Sequence, residues 1–174
     1  MKKLTITLIF GLLLTGFSVS LKAQETVTAT ASAELVEALT ATEVTQLNFG
    51  RFLPGSAVGT ISIAAVTAGT RTKGGDVFLV GGGNPASAEF LISGYSGSTV
   101  NVGLPTTAVE LTHATNSAHK LEIASFTASE TAPVLNTSGE ATIYVGGVLN
   151  ILASDAGLSK GLYSGTYPVT FQYP

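Results

Sequence analysis

The sequence predicts an all-β sandwich, and three observations carry that expectation. Apolar and polar residues alternate with a period of two in one short stretch after another, which places each apolar set on one face of a strand. Clusters of Gly, Pro, Asn and Ser separate these stretches at short intervals. Beyond the N-terminal leader-like segment, no stretch carries an apolar stripe at helical spacing bounded by caps. About nine or ten short strands are expected, with no internal repeat.

The last stretch, Gly161–Pro174, is the clearest element. Tyr163, Gly165, Tyr167, Val169, Phe171 and Tyr173 occupy alternate positions, against Ser164, Thr166, Pro168, Thr170 and Gln172. An amphipathic strand of this kind needs a partner layer for its apolar face. Pro168 has no N–H to give to a ladder, so an edge, a bulge or an unpaired side is expected there.

Residues 1–23 read as a signal peptide, with Lys2 and Lys3 ahead of the apolar run Leu4–Phe17 and a small residue, Ala23, before Gln24. The run is short for a membrane span. Residues 24–38 form an alternating N-terminal segment. Val27, Ala29, Ala31, Ala33 and Leu35 lie on one side, with Thr28, Thr30, Ser32 and Glu34 on the other. As a strand, Val27–Leu35 would span roughly 30 Å. Residues 39–174 are then the sandwich domain.

Within that domain Leu47–Gly50 reads as a short strand ending at a turn, and Pro54-Gly55 as a second turn. Gly59–Ala64 alternates, with Ile61 and Ile63 on one face. Ala68–Gly75 reads as a loop and Val77–Val80 as a short buried strand. Gly81–Pro85 is a breaker. Strands follow at Ala86–Ser93, Thr99–Leu104, Val109–Thr112 and Lys120–Ala128, and a loop at Thr131–Gly139. Ala141–Ala153 reads as two strand halves around Gly146-Gly147, a pair that marks a bulge or bend. Ser154–Lys160 is a turn into the last strand.

Composition narrows the function. After removal of Lys2, Lys3 and Lys22 with the leader, five basic residues remain against eleven acidic ones, a formal charge of −6. No basic patch exists for nucleic acid or anionic lipid. The chain has no cysteine, which excludes disulfides, thiol catalysis and thiolate metal sites. It does not argue against export, since a domain of this size needs no staple.

No constellation points to catalysis. The histidines, His113 and His119, flank a polar segment and read as surface loop residues. Glu89, Glu110, Glu122 and Glu140 fall on the polar sides of strands rather than as a pair across a cleft. Asp76 and Asp155 are far apart, unlike calcium ligands. Gly81-Gly82-Gly83 lacks the Lys-Ser/Thr end of a phosphate loop. Phe49, Phe90, Phe126, Tyr144, Tyr167 and Phe171 are expected in the core. Tyr95 and Tyr163, beside glycine-rich turns, are the candidates for surface contacts. No catalytic residue, cofactor or metal is expected.

The two alternating ends are the informative features. A sheet edge can be completed by a strand from another chain, and a head-to-tail contact that does not close makes a filament. The simpler alternative is that Val27–Leu35 is the first strand of its own sandwich.

Four stretches, Leu47–Gly50, Gly59–Ile63, Val145–Leu149 and Gly161–Thr170, carry a resemblance. With the Asn-Phe-Gly strand end and the closing Gly-x-Tyr-x-Gly-x-Tyr-x-Val pattern, the chain resembles a domain-of-unknown-function family of secreted bacterial β-sandwich proteins. That family is similar to the spore-coat-U-like pilins of archaic chaperone–usher fimbriae, many of which, unlike this chain, carry a disulfide. The resemblance implies an immunoglobulin-like sandwich completed by a donated strand, made by a Gram-negative bacterium. It also implies a periplasmic chaperone and an outer-membrane usher as partners, beside copies of the chain or related subunits. Val27, Ala29, Ala31, Ala33 and Leu35 would be donor residues, and the last strand would border the acceptor groove. The expected function is a structural, non-enzymatic subunit of a surface fimbria, exported through the periplasm to the cell surface. The alternative is a monomeric secreted or periplasmic binding module, for example for carbohydrate.

Overall fold

The computed structural model describes residues 24–174. The leader-like stretch 1–23 lies outside the described residues. Residues 24–39 carry no strand, and 24–38 are exposed. Val27–Leu35 is therefore not a strand of this chain's own sheets, as the simpler alternative had it. Its small, hydroxyl-rich side chains bring little apolar area to bury.

Val36–Pro174 is a compact all-β unit of ten strands. They are β1 (Thr40–Thr45), β2 (Arg51–Ile63), β3 (Arg71–Val80), β4 (Ala88–Ser93), β5 (Asn101–Gly103), β6 (Val109–His113), β7 (Lys120–Ala128), β8 (Glu140–Ile151), β9 (Tyr163–Ser164) and β10 (Thr170–Gln172). Every pairing is antiparallel. Eight strands form one sheet, in the order β1-β4-β8-β7-β6-β9 with the β2–β3 hairpin attached to β8. The remaining two, β5 and β10, form a separate small sheet.

β8 is the spine. Along one edge its first half pairs with β4, from Glu140 to Val145, and its second half with β2, from Gly147 to Ile151. Its other edge carries β7 from Val145 to Asn150. The Gly146-Gly147 pair thus lies inside one continuous strand, at the point where the partner changes. A side chain at Gly146 would strike the carbonyl oxygen of Ile63 and the backbone of Ala64 and Ala65. Glycine is what lets the end of β2 approach the spine there.

The partner change divides the interior in two. One cluster gathers Phe49, Ile61, Ile63, Val77, Leu121, Ile123, Leu149 and Ile151 under β2, β3 and β7. The other gathers Ala88, Phe90, Ile92, Val100, Leu135, Ile143 and Val145 under β4, with the C-terminal residues Tyr167, Val169, Phe171 and Tyr173 packed against it. Leu47 and Phe126 touch both. The alternation read at Ile61/Ile63, Phe90/Ile92 and Leu121/Ile123 is an alternation of burial, as period two requires.

Three expectations are corrected. Pro54-Gly55 is a bulge inside β2, where the register with β3 shifts between Pro54 and Gly59, and not a turn between strands. The stretch read as the loop Ala68–Gly75 is largely β3, which begins at Arg71; the true connection is 64–70. Lys73, Gly74 and Gly75 are an edge-strand composition, and β3 pairs with β2 alone. The last strand is two short ones, β9 on β6 and β10 on β5, separated by Gly165–Val169, which belong to no strand. Pro168 sits in that unpaired stretch.

Candidate assembly groove

A groove of about 760 Å³ lies between two backbone walls of the domain. The near wall runs from Glu43 through Phe52, and the far wall from Gly161 through Val169. The floor is apolar, built from Phe90, Leu111, Leu121, Ile123 and Leu149.

The near wall is held from behind. β1 is paired on one edge only, with β4. Past its end, Asn48 and Ala86 exchange backbone hydrogen bonds of 2.9 Å. The Asn48 side-chain oxygen accepts from the N–H of Gly50 at 2.7 Å, and Gly50 takes φ +72° to turn the chain into β2. Arg71 then fixes the corner, its guanidinium donating to the carbonyls of Phe49, Arg51 and Val80 at 3.0–3.1 Å.

The far wall is pinned at its two ends and unpaired between them. At its start the two histidines act as backbone acceptors. His113 is only 7% exposed, in β6, and its Nδ1 accepts from the N–H groups of Thr115 and Asn116 at 3.2 and 3.1 Å. That leaves the proton on Nε2, which donates to the carbonyl of Lys160 at 3.2 Å. His119 Nδ1 accepts from the Ser159 N–H at 2.8 Å. The reading of His113 as a surface loop residue is thus corrected: its ring is core, covered edge-on by Tyr163 at 4.9 Å. Tyr163 in turn donates to the Ser159 carbonyl at 2.8 Å. Burial raises the pKa of its phenol, with a further push from Asp155. At the other end Tyr173 Oη accepts from the Tyr95 N–H at 2.7 Å and donates to the Glu37 carbonyl at 3.1 Å. Phe171 packs against Phe90 with ring centroids 5.6 Å apart.

Between these anchors Gly165 passes so close to the Glu110 carbonyl that a Cβ there would meet it at 2.5 Å. Tyr167 stacks on Phe126 at 4.6 Å. Its hydroxyl is buried without a hydrogen-bond partner. Burial pushes the phenol pKa far up, and Glu43 across the groove adds to the shift.

The site residues read from sequence therefore divide. Tyr163, Gly165, Tyr167 and Val169 line the groove, while Phe171 and Tyr173 anchor its end to the second core. Val27 and Leu35 are 78% and 97% exposed, and Ala29, Ala31 and Ala33 are exposed too. Of the two surface candidates, Tyr95 is 39% exposed and Tyr163 is half-buried against His113. Arg71 and the histidine clamp had no motif to announce them, and the near wall had only the Asn48-Phe49-Gly50 strand end. Among the described residues no group of three or more His, Asp or Glu gathers as metal ligands would. No helix among them is long and apolar enough to cross a membrane.

One family model matches the chain, over residues 39–173; its description is Domain of unknown function (DUF4402). No curated protein and no solved structure matches.

Proposed function

The chain belongs to the DUF4402 family of unknown function, and on that premise we propose that it is a structural subunit of an extracellular assembly, completed by a strand donated from another copy. The domain is an immunoglobulin-like sandwich short of one strand, and residues 24–35 of a neighbouring copy supply it. The observation that carries the reading is the groove, an apolar floor between two backbone walls that lack strand partners on that side. Such a site suits an extended chain, whose backbone bonds the walls while alternate side chains meet the floor. The segment 24–35 has the alternation required, is exposed and occupies no strand. A strand of Val27–Leu35 spans roughly 30 Å, nine residues facing the nine of the far wall, Gly161–Val169.

The reading places the protein outside the cell. Export begins with the signal peptide 1–23, a periplasmic chaperone covers the groove, and an outer-membrane usher exchanges it for the next subunit. Because the contact is head-to-tail, it extends without closing.

A strand inserted in a sheet leaves slowly, since its release resembles local unfolding. The mature protein, or the surface fraction sheared from cells, is run on SDS gels unheated and boiled. A ladder that collapses to monomer on boiling, and that deletion of Gln24–Leu35 abolishes, is the expected result. Monomer in both lanes sinks the reading and directs attention to a glycan screen of the loops.

A further inference from the structure

The Tyr167 hydroxyl is a defect in the isolated domain. A phenol O–H is a donor and an acceptor, and a buried one without a partner carries its desolvation cost uncompensated. This one lies on the groove wall, buried and unpartnered. Its ring is held by stacking on Phe126 at 4.6 Å, so it does not swing out to water without losing that contact. Glu43 on the opposite wall is near enough to act on its ionisation, yet no hydrogen bond joins the two. A second oddity matches the first. The segment assigned above as donor has Ala29, Ala31 and Ala33 at the centre of its apolar side, where large side chains would fill a deep groove better.

Resting on the strand-acceptor reading, we propose that Tyr167 is the residue by which the groove recognises its occupant. Its ring takes up space that a bulky donor side chain would otherwise fill. Its hydroxyl donates to a backbone carbonyl of the Val27–Leu35 strand of a second copy. An alanine opposite the ring leaves that carbonyl uncovered, whereas a leucine or phenylalanine would stand over it. The small side chains of the donor and the large tyrosine of the acceptor are then one device, which favours small-residue strands and disfavours bulky ones. The hydroxyl is a liability in the free subunit and a bond in the assembled one, so its removal acts with opposite signs on the two states.

The test uses a fluorescein-labelled peptide of residues 24–38 titrated against Val36–Pro174, the compact unit without its own donor segment, so that no neighbouring copy fills the groove, wild type and Tyr167→Phe, followed by anisotropy. Each protein's thermal midpoint is also recorded without peptide. The expected result is peptide affinity about fivefold to tenfold lower for Tyr167→Phe, with a midpoint unchanged or raised. Equal affinity overturns the role given to the hydroxyl and leaves the strand-acceptor reading standing. A lowered midpoint without peptide also overturns it, because the hydroxyl would then be bonded in the free chain. Absence of binding by both proteins overturns the strand-acceptor reading and this inference together.

Discussion

Asp76 is the side chain on which the β2 bulge closes. Its Oδ2 accepts from the N–H groups of Ala57 and Ser56, at 3.0 and 2.7 Å, and from the Ser56 hydroxyl at 3.1 Å. Those bonds, the one from Ala57 foremost, hold its pKa below the ordinary 3.8. A carboxyl whose pKa falls on folding stabilises the fold at pH values above its unfolded pKa. That stabilisation is lost as pH falls from there through the lowered folded value. Asp76→Asn is therefore expected to be less stable than wild type in urea at pH 7, with the difference closing below about pH 4. A difference constant from pH 7 to pH 2.5 would remove the carboxylate's charge from the explanation. The same residue accounts for a limit of sequence reading. Pro54-Gly55 has turn chemistry, and only the acceptor on β3, some twenty positions away, makes it a bulge instead. His113 is a parallel case. A histidine in a polar run looks solvated, and its burial depends on the Lys160 carbonyl and the Tyr163 ring, which the pairing of β6 with β9 brings in.

At the scale of the element, β8 shows what periodicity reveals and what it conceals. The alternation in Ala141–Ala153 located the strand, and Gly146-Gly147 located an irregularity within it. The change of partner at that point was not legible, because Gly146 only permits the close approach of β2, and which strands arrive there depends on where β2 and β4 end. The same holds for β3, whose Lys73, Gly74 and Gly75 suit an unpaired edge and so resemble a loop, and for the C-terminal strand. There the period of two survives as burial at Tyr167 and Val169, although Gly165 is exposed and no ladder runs along Gly165–Val169. Gly146→Ala is expected to cost about 2–3 kcal/mol, since its Cβ meets the backbone of Ile63–Ala65, which cannot rotate away. Gly81→Ala, in the breaker after β3, is the control, because a Cβ there would have nothing within 4 Å. It is expected to shift stability by no more than about 0.5–1 kcal/mol. Urea midpoints of the two variants separate these outcomes, and equal midpoints would refute the close approach at the spine.

For the whole molecule the question is whether two apolar clusters make one cooperative unit. The shape of the groove was not legible in sequence because its walls, Glu43–Phe52 and Gly161–Val169, are more than a hundred residues apart; the Asn48-Phe49-Gly50 strand end and the closing Gly161–Val169 pattern marked each wall singly but not their facing one another. It exists because the C-terminal segment leaves β6 for β5 and crosses from one cluster to the other on the way. Four connections oppose independent melting. β8 and β7 run through both halves, and Leu47 and Phe126 pack on both clusters. Ile61 and Ile92 are each fully buried, one in each cluster. Replacing either by Ala is expected to cost about 2–5 kcal/mol. If the halves unfold together, each replacement lowers the protection of the slowest-exchanging amides in β2 and in β4 by the same factor. If they unfold separately, Ile61→Ala accelerates exchange in β2 and leaves β4 untouched, and Ile92→Ala does the reverse. Hydrogen exchange resolved by strand decides between them, and the shared spine predicts the common factor. The groove follows the same logic. Its floor draws Phe90 from one cluster and Leu121, Ile123 and Leu149 from the other. An occupant that binds only the folded domain therefore slows exchange in β2 and β4 alike.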